Sequence, residues 1–309
     1  MYWNNTYTNN MNLYDYYVIR NKTLYYNKNY QSIEHVFENK PMDYKKYKMD
    51  NLFPIHINNN DIDNDINNDI NNDINFDKQI NENETLKKRM KDNYEEFLKI
   101  TKNCDTLILG EMFNSDISKI PENITNIIFS DYMKYSFGQT NLYCFYKDCI
   151  FPNSVKKIKF SNDFNQPIDN LPSSLEELEF SSDSVFDKSV DNLPCTLKKI
   201  TFGKYFNVPI NNLPPNLEYL NIQSDYFSVE LKNIPSGLKY LFFNSNPQYS
   251  YEKKIEGLPM GLIEIMYPFE YLFEIKNLPK SVEIIKISNI YEYINELKLL
   301  YPDKKIIVY

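Results

Sequence analysis

The stretch FNQPIDNLPSSLEELEF at residues 164–180 recurs as FNVPINNLPPNLEYLNI at residues 206–222. In both copies the second proline is followed after three, six and eight residues by an apolar side chain. The same spacing follows eight prolines of the chain: Pro121, Pro152, Pro172, Pro194, Pro214, Pro235, Pro259 and Pro279. A self-similar period of about twenty-one residues is typical of a solenoid, in which each unit packs only on its neighbours.

The residues ahead of each proline repeat as well. Most of these prolines follow a leucine or isoleucine, with an aliphatic side chain four residues earlier and an aromatic one eight residues earlier. A further copy of the apolar spacing begins upstream at Cys104, with Leu107 and Leu109 in the later positions. Gaps of 20 to 31 residues between copies leave no room for a full crossover helix, so the return path is predicted to be turns and extended chain.

These columns predict a β-rich, leucine-rich-repeat-like solenoid over residues 103–289, coiled right-handed, with one parallel sheet and short helical caps at both ends. Each strand is predicted to begin three residues after its proline, because proline cannot donate to a sheet ladder. The unit ending at Pro152 breaks the upstream columns with Cys144 and Asp148. It also carries extra residues between 130 and 143, which predicts an inserted surface loop.

Composition divides the rest of the chain into four regions. Residues 1–57 are rich in Tyr, Asn and Lys and form a weakly specified N-terminal region, for which one or two helices are expected. Residues 58–80 are a low-complexity Asn/Asp/Ile tract, predicted to be a disordered linker. Residues 81–102 have the apolar spacing of a helix that would cap the solenoid. Residues 290–309 are predicted to be a C-terminal cap, a short helix followed by a last strand.

The linker contains one pattern that resembles a metal site. Asp61, Asp63 and Asp65 are spaced like the opening of a calcium loop. Ile66, however, occupies the place of the required glycine, and Asn72 occupies the place of the bidentate glutamate. The sequence therefore predicts neither a metal nor a cofactor.

Bulk composition limits the classes of partner. The formal net charge is −8, but six aspartates lie in the linker tract, so the remainder carries only −2, which gives no sign of nucleic-acid binding. No apolar run approaches the roughly 18 residues of a membrane span. The polar first ten residues lack the pattern of a secretory signal. Four cysteines without zinc-finger spacing fit a reducing compartment, so a cytoplasmic protein is expected, in the host cytoplasm if the chain is viral.

The columns resemble the FNIP repeat, a relative of the leucine-rich repeat known from social amoebae and the giant viruses that infect amoebae. Residues 164–168 and 206–210 carry the Phe-Asn-x-Pro-Ile element, residues 170–172 and 212–214 carry Asn-Leu-Pro, and Leu-x-x-Leu-x-Phe strands follow. The resemblance covers residues 103–289 and implies protein interaction without established catalysis.

Two points depart from this resemblance. The units of Tyr251 and Tyr271 lack the Phe-Asn pair, which leaves their turn geometry open. Some related viral and amoebal proteins join such repeats to an F-box, but no F-box helix pattern precedes residue 100 in this sequence.

Residues four, five and seven positions after each proline are predicted to point out of the sheet. The column at position four reads Lys156, Glu176, Lys198, Glu218, Lys239, Ile263 and Glu283. Adjacent parallel strands lie about 4.8 Å apart, so the alternating charges should form a ladder of opposite neighbours that fixes the strand order.

Further along, the outward columns become aromatic and apolar. We call this set the aromatic patch: Tyr219, Tyr240, Phe242, Ile263, Met266 and Ile284. Large exposed patches mark binding sites, and tyrosine and phenylalanine are common anchors. Two alternatives stay open: the N-terminal region or the C-terminal helix covers the patch, or the register bends at this point.

The sequence thus predicts a protein-protein interaction scaffold that binds a protein partner through the exposed sheet face, with no nucleic acid, membrane or small-molecule substrate. The alternative is a substrate receptor for a ubiquitin ligase that docks the ligase through the N-terminal region. An enzyme is not expected. His35 and His56 both precede the repeats without a placed Cys or Ser partner, and six glycines form no phosphate-binding loop.

Overall fold

The computed structural model describes residues 17–20, 23–26, 99, 102–109, 120–129, 150–244 and 250–309. These residues contain fourteen strands and the helix α1, Ile294–Leu300. The strands are β1 Tyr17–Arg20, β2 Thr23–Tyr26, β3 Thr106–Leu109, β4 Asn126–Phe129, β5 Lys157–Phe160, β6 Glu177–Phe180, β7 Lys199–Phe202, β8 Tyr219–Ile222, β9 Tyr240–Phe243, β10 Ser250–Tyr251, β11 Glu264–Met266, β12 Glu270–Tyr271, β13 Ile284–Ile287 and β14 Lys305–Val308.

Twelve of these strands form one sheet in the order β1-β2-β3-β4-β5-β6-β7-β8-β9-β11-β13-β14, and β10 pairs with β12 in a separate two-stranded ladder. Every pair from β2 to β14 in the large sheet is parallel, whereas β1 runs antiparallel to β2. The predicted leucine-rich-repeat-like solenoid with one parallel sheet is confirmed.

Each strand starts two residues later than the sequence predicted. The residue three positions after the proline closes a turn instead: the N–H of Val155 donates to the carbonyl of Pro152 at 3.1 Å. The same bond joins Leu175 to Pro172 at 3.0 Å and recurs in the later units. Because this amide points back at the proline, it cannot enter the ladder, and the strand begins at position five.

Three apolar columns of every turn form the core. Leu175, Leu197 and Leu217, at position three, are each 0% exposed and stack in one row. The column at position six is paired in register, with Ile158 opposite Leu178 and so on through the sheet. Since each apolar side chain meets its counterpart from the next turn, burial is completed only by stacking.

Aromatic side chains fill the end of the core away from the prolines. Within one turn the rings of Phe160 and Phe164 stack with centroids 3.8 Å apart, and those of Phe202 and Phe206 stack at 3.7 Å. Between turns the centroids of Phe164 and Phe186 are 6.0 Å apart. Such pairs contribute about 0.5 to 1.5 kcal/mol each beyond burial, so the aromatic columns help to fix the spacing of the turns.

The asparagines of the repeat motif join one turn to the next. Oδ1 of Asn165 accepts the N–H of Asp187 at 3.0 Å, and Oδ1 of Asn207 accepts the N–H of Ser228 at 2.9 Å. Asn192, from the Asn-Leu-Pro element, donates through Nδ2 to Oδ1 of Asp169 in the preceding turn at 2.8 Å. The Phe-Asn pair therefore combines a buried ring with a bridge between return loops.

Tyrosines take over both roles in the C-terminal turns that lack the Phe-Asn pair. The hydroxyl of Tyr271 accepts the N–H of Ile255 at 3.0 Å, and that of Tyr291 accepts the N–H of Ile275 at 3.0 Å. Tyr251 donates to the carbonyl of Val229 at 2.9 Å. The turns also differ, since Asn233, Gly257 and Asn277 before the prolines have φ of 54°, 66° and 58°. In these units the hydroxyl oxygen of a tyrosine in the aromatic column makes the hydrogen bond that joins one turn to the next.

The two ends of the sheet are built differently. β1 and β2 form a hairpin in the region where helices were expected; only two residues separate them, and the aromatic and β-branched residues of Tyr17–Arg20 favour a strand. At the other end, α1 and β14 make the last turn. Of the predicted capping helix at 81–102, the structure describes only two residues: Lys99, which is helical, and Lys102, which lies in a turn. The predicted linker and the loop at 130–143 lie outside them entirely.

Gly203 lies where two neighbouring turns of the solenoid approach closely, so adding a side chain there tests how tightly the turns pack. A Cβ at this position would overlap the carbonyl oxygen of Ser181 and lie 2.7 Å from Cβ of Ser184. Gly203→Ala should destabilise the protein by about 1 to 3 kcal/mol, measured as a lower urea midpoint. The matched control is Gly261→Ala, whose added Cβ would come no closer than 3.9 Å to Ser236, with an expected change within about 0.5 kcal/mol. Equal midpoints for the two variants would contradict the close approach.

The buried tyrosines predict sensitivity to alkali. Burial raises the pKa of Tyr291 from 10.0 to about 12, and it also raises the pKa of Tyr309 to about 12. Because the folded chain then holds protons that the unfolded chain releases, the contribution of these tyrosines to stability should be constant below pH 10 and fall as the pH rises towards about 12. Urea midpoints across this range, with tyrosinate absorbance as a second signal, measure the loss.

Tyr291→Phe separates the tyrosine effect from general alkaline damage. The variant should lose about 1 kcal/mol per missing hydrogen bond at neutral pH but show a smaller loss above pH 10. The control Tyr205→Phe removes the hydroxyl of an exposed tyrosine and should keep the wild-type pH dependence. A Tyr291→Phe profile parallel to wild type would contradict the assignment.

Candidate interaction face

The outward face carries ion pairs along its first half. Glu176 bridges two strands, with Oε1 3.3 Å from Nζ of Lys156 and Oε2 2.7 Å from Nζ of Lys198. In the next outward row Lys157 pairs with Glu177 at 3.1 Å. The side chains thus form the ladder of opposite neighbours that the alternating column suggested.

The ion pairs of the ladder shift the pKa values of Glu176 and Lys198. The pKa of Glu176 is lowered, first by its hydrogen bond to Lys198 and then by that to Lys156, whereas the pKa of Lys198 is raised by the same carboxylate. All three side chains are substantially exposed, so solvent screens the pairs and their net contribution is small. This half of the face is a neutralised surface rather than a charged site.

The aromatic patch follows where the ion pairs give way. Tyr219 lies directly opposite Tyr240 in the ladder, and Met266 lies opposite Phe242. The ring of Tyr219 is 5.3 Å from that of Phe242 and 6.2 Å from that of Tyr240. On the next strand Ile284 continues the outer row beyond Glu264. The structure therefore brings Tyr219, Tyr240, Phe242 and Met266 together on adjacent strands, whereas the charged Glu264 separates Tyr240 from Ile284.

Phe242 is the centre of this surface and the most enclosed of its members. Its side chain is 9% exposed, and the other five are half-buried. Burial, followed by the charges of Glu264 and Glu179, raises the pKa of Tyr219, while a hydrogen bond with Asn221 opposes the rise. The rings of Tyr219, Tyr240 and Phe242 pack against one another within the patch.

Cations border the patch on two sides. Nζ of Lys199 lies 4.9 Å from the ring centroid of Tyr219, and Nζ of Lys286 lies 5.2 Å from that of Phe242. Lys286 is also paired with Glu264 at 2.7 Å, whereas Lys199 forms no ion pair with any residue the structure describes. The rim beside Tyr219 therefore offers a cation to an anionic group.

Sequence reasoning missed several contributors. Thr201 and Asn221 occupy outward positions but are only 7% and 5% exposed, and Asn221 accepts a hydrogen bond from Asn244 at 3.0 Å. Glu264 lies between Tyr240 and Ile284 in the outward column five positions after each proline. Writing out that column for every strand would have revealed it. The burial of Thr201 and Asn221 had no sequence signal, because it depends on the length of neighbouring side chains.

The alternatives for the patch can be placed in the structure. Helix α1 lies against Ile275 and Tyr291 on the return side of the solenoid, and its Leu297 is buried there. The register does not bend at the patch, since β9, β11 and β13 pair in step. Cover by the N-terminal region concerns residues outside those described.

The described residues show neither a cluster of metal ligands nor a membrane-spanning helix. No group of three or more His, Cys, Asp or Glu side chains there is placed to hold a metal ion. The described part of the chain also contains no helix with the length and apolar character needed to cross a membrane.

Comparison with known proteins agrees with this architecture. Residues 146–183 and 186–225 match the FNIP Repeat family. The crystal structure of CroV588, described as a novel circular LRR protein, superposes with a TM-score of 0.54 at 21% identity, covering 89% of this chain and 32% of CroV588. This chain thus spans about a third of that protein's length, and the likeness concerns the fold. A comparison with curated proteins gave no match. Residues 146–225 thus carry FNIP repeats, as the motif resemblance suggested, within a leucine-rich-repeat-like solenoid.

The ion-pair ladder yields a prediction at Glu176. Glu176→Lys would place three like charges on adjacent strands, so it should lower the urea midpoint more than Glu176→Gln does. Added salt should narrow the difference, because the charges are exposed to solvent. The control Glu252→Lys changes an exposed glutamate that pairs with no described cation and should have little effect. A salt-independent difference would rule out an electrostatic origin.

Proposed function

We propose that this protein is an interaction scaffold that binds a protein partner through the aromatic patch of its sheet face. The architecture favours this role, because a repeat solenoid presents an extended surface built from rigid strands. The observation that carries the proposal is the cluster of Tyr219, Tyr240 and Phe242, whose rings lie within 6.5 Å of each other on the outward side of a fixed register.

The chemistry of the patch defines the partner's binding segment. Half-exposed tyrosines combine a large apolar contact area with hydroxyls that form hydrogen bonds, which makes them common anchors of interfaces. Lys199 at the rim is available for a carboxylate, while Lys286 is already paired with Glu264. The partner segment should therefore present an apolar side chain to the rings with an acidic residue next to it, and binding in the cytoplasm is part of the proposal.

The alternative of a ubiquitin-ligase substrate receptor has no specific observation in its favour. It requires a docking element in the N-terminal region, of which the structure describes the backbone of β1 and β2. The sheet face could present a substrate in either case, so the two functions differ only in what residues 1–57 bind.

The patch is tested by the double variant Tyr219→Ser/Tyr240→Ser, which spares the enclosed Phe242. Affinity capture from native cells should lose the specific partner, at least tenfold by quantitative mass spectrometry, while the urea midpoint changes little. The matched control is Tyr205→Ser/Tyr226→Ser, because these two rings are also stacked, at 5.5 Å, and are 44% and 41% exposed outside the patch. It should retain the partner.

Charge provides the second arm of the same test. Lys199→Glu should weaken capture of the same partner if an acidic residue sits at the rim, whereas Lys188→Glu, away from the patch, should not. Capture that survives the double tyrosine variant, or is lost equally in its control, would reject the aromatic patch as the binding site.

A further inference from the structure

β14, at the C-terminal edge of the sheet, has the geometry of an interior strand, but no strand that the structure describes pairs with its second side. β14 pairs with β13 in register, with Ile306 opposite Ile285 and Val308 opposite Ile287. Ile285 and Ile287 are 0% exposed, whereas Val308 is 43% exposed and Ile306 is half-buried. The core rows therefore continue into β14 but are not closed there by any strand that the structure describes.

The backbone of β14 is open on the same side. The N–H of Lys305 donates to Glu283 at 2.9 Å, and that of Tyr309 donates to Ile287 at 3.1 Å. Since successive residues of a strand direct their backbone groups to opposite sides, Ile306 and Val308 direct theirs away from β13. No described strand pairs with these groups, and an edge of this kind is a template for another chain.

We propose that β14 pairs with β14 of a second copy of this chain, in antiparallel orientation and centred on Ile307. In this register Ile306 faces Val308 of the second copy, and each such pair exchanges two backbone hydrogen bonds. A register centred on Ile306 would need the N–H of Lys304, which already donates to Tyr301 at 3.2 Å. The arrangement centred on Ile307 is thus the one that satisfies all the open groups of Ile306 and Val308.

Side-chain direction agrees with this pairing. In this register an even-numbered residue always lies opposite an even-numbered residue of the second copy. The side chains of Ile306 and Val308 in both copies therefore lie on the core side and close each other's apolar rows. The contact buries the same apolar rows as the stacking between turns, but with the strand direction reversed. It is isologous, so it ends at two copies and does not propagate.

The pairing would also extend the outward face. Ile307 lies opposite Lys286 in the outward row that contains Met266 and Phe242. In the dimer Ile307 would face Ile307 of the second copy across the two-fold axis, so the two faces would join into one surface. The dimer stands independently of the proposed function, because its contacts do not include the tyrosines of the aromatic patch.

Solution mass tests the proposal directly. Light scattering coupled to size exclusion should give twice the 37.0 kDa chain mass at micromolar concentration, falling towards one chain on dilution. Val308→Pro removes an N–H on the open edge of β14 that donates to no residue the structure describes, so it should abolish the dimer. Its urea midpoint should equal that of wild type at a dilution at which wild type is also monomeric. The control Val308→Thr keeps the amide and should remain dimeric. A monomer at all concentrations, masses that grow beyond two copies, or a dimeric Val308→Pro would overturn the proposal.

Cross-linking tests the register. A residue at the centre of the pair faces itself in a non-hydrogen-bonded position with Cα atoms about 4.5 Å apart, close enough for a disulfide. In a background with Cys144, Cys149 and Cys195 replaced by Ser, Ile307→Cys should form a disulfide-linked dimer on mild oxidation. Met260→Cys, which changes a side chain that is 77% exposed in an earlier turn, should not. A stable dimer in which Ile307→Cys fails to cross-link would overturn this register.

Discussion

In-register parallel pairing is the constraint on which the structure depends. Within the large sheet, each strand from β3 to β13 pairs with its neighbour at the equivalent position of the repeat, so that Ile158 lies beside Leu178 and Leu178 beside Ile200. Each side chain therefore meets its own column, and a residue type that suits one turn suits its neighbours. A slip of one residue would send the outward charges into the core. Ring stacking and the asparagine bridges reinforce the same register from the return side.

The same constraint separates stability from binding. The inward columns must be apolar in every turn, whereas the outward columns can change without disturbing them. Around Glu176 they hold exposed ion pairs, which contribute about 0 to 1 kcal/mol each and leave little net charge. Around Phe242 they hold rings and aliphatic side chains, the kind of surface on which the proposed function rests. One face therefore combines a neutralised half with an aromatic half on a single sheet.

The repeat made most of the fold predictable because each column is sampled in many turns. The buried rows, the single parallel sheet, the charge ladder and the place of the aromatic patch all follow from alternation along short strands. Predictions failed where a feature depends on hydrogen bonds that the residue types do not reveal. The turn amide of Val155 and its equivalents delay the strands, and the hydroxyl of Tyr271 reaches a backbone amide in the preceding turn. The spacing of apolar residues indicates neither contact, and the hairpin of β1 and β2 lies outside the repeat altogether.

The two ends of the stack respond differently to the loss of a neighbour. An array held by contacts between adjacent turns has one unsatisfied interface at each end. Beyond β2 the first strand reverses direction, so the described part of the sheet ends there on a hairpin that does not repeat the solenoid geometry. Beyond β13 the direction and register are kept, and Ile306 and Val308 continue the buried rows into partial exposure. The regular end is therefore the one to which a further strand can be added without changing register or face, whereas the reversed strand would present a new partner with the opposite polarity.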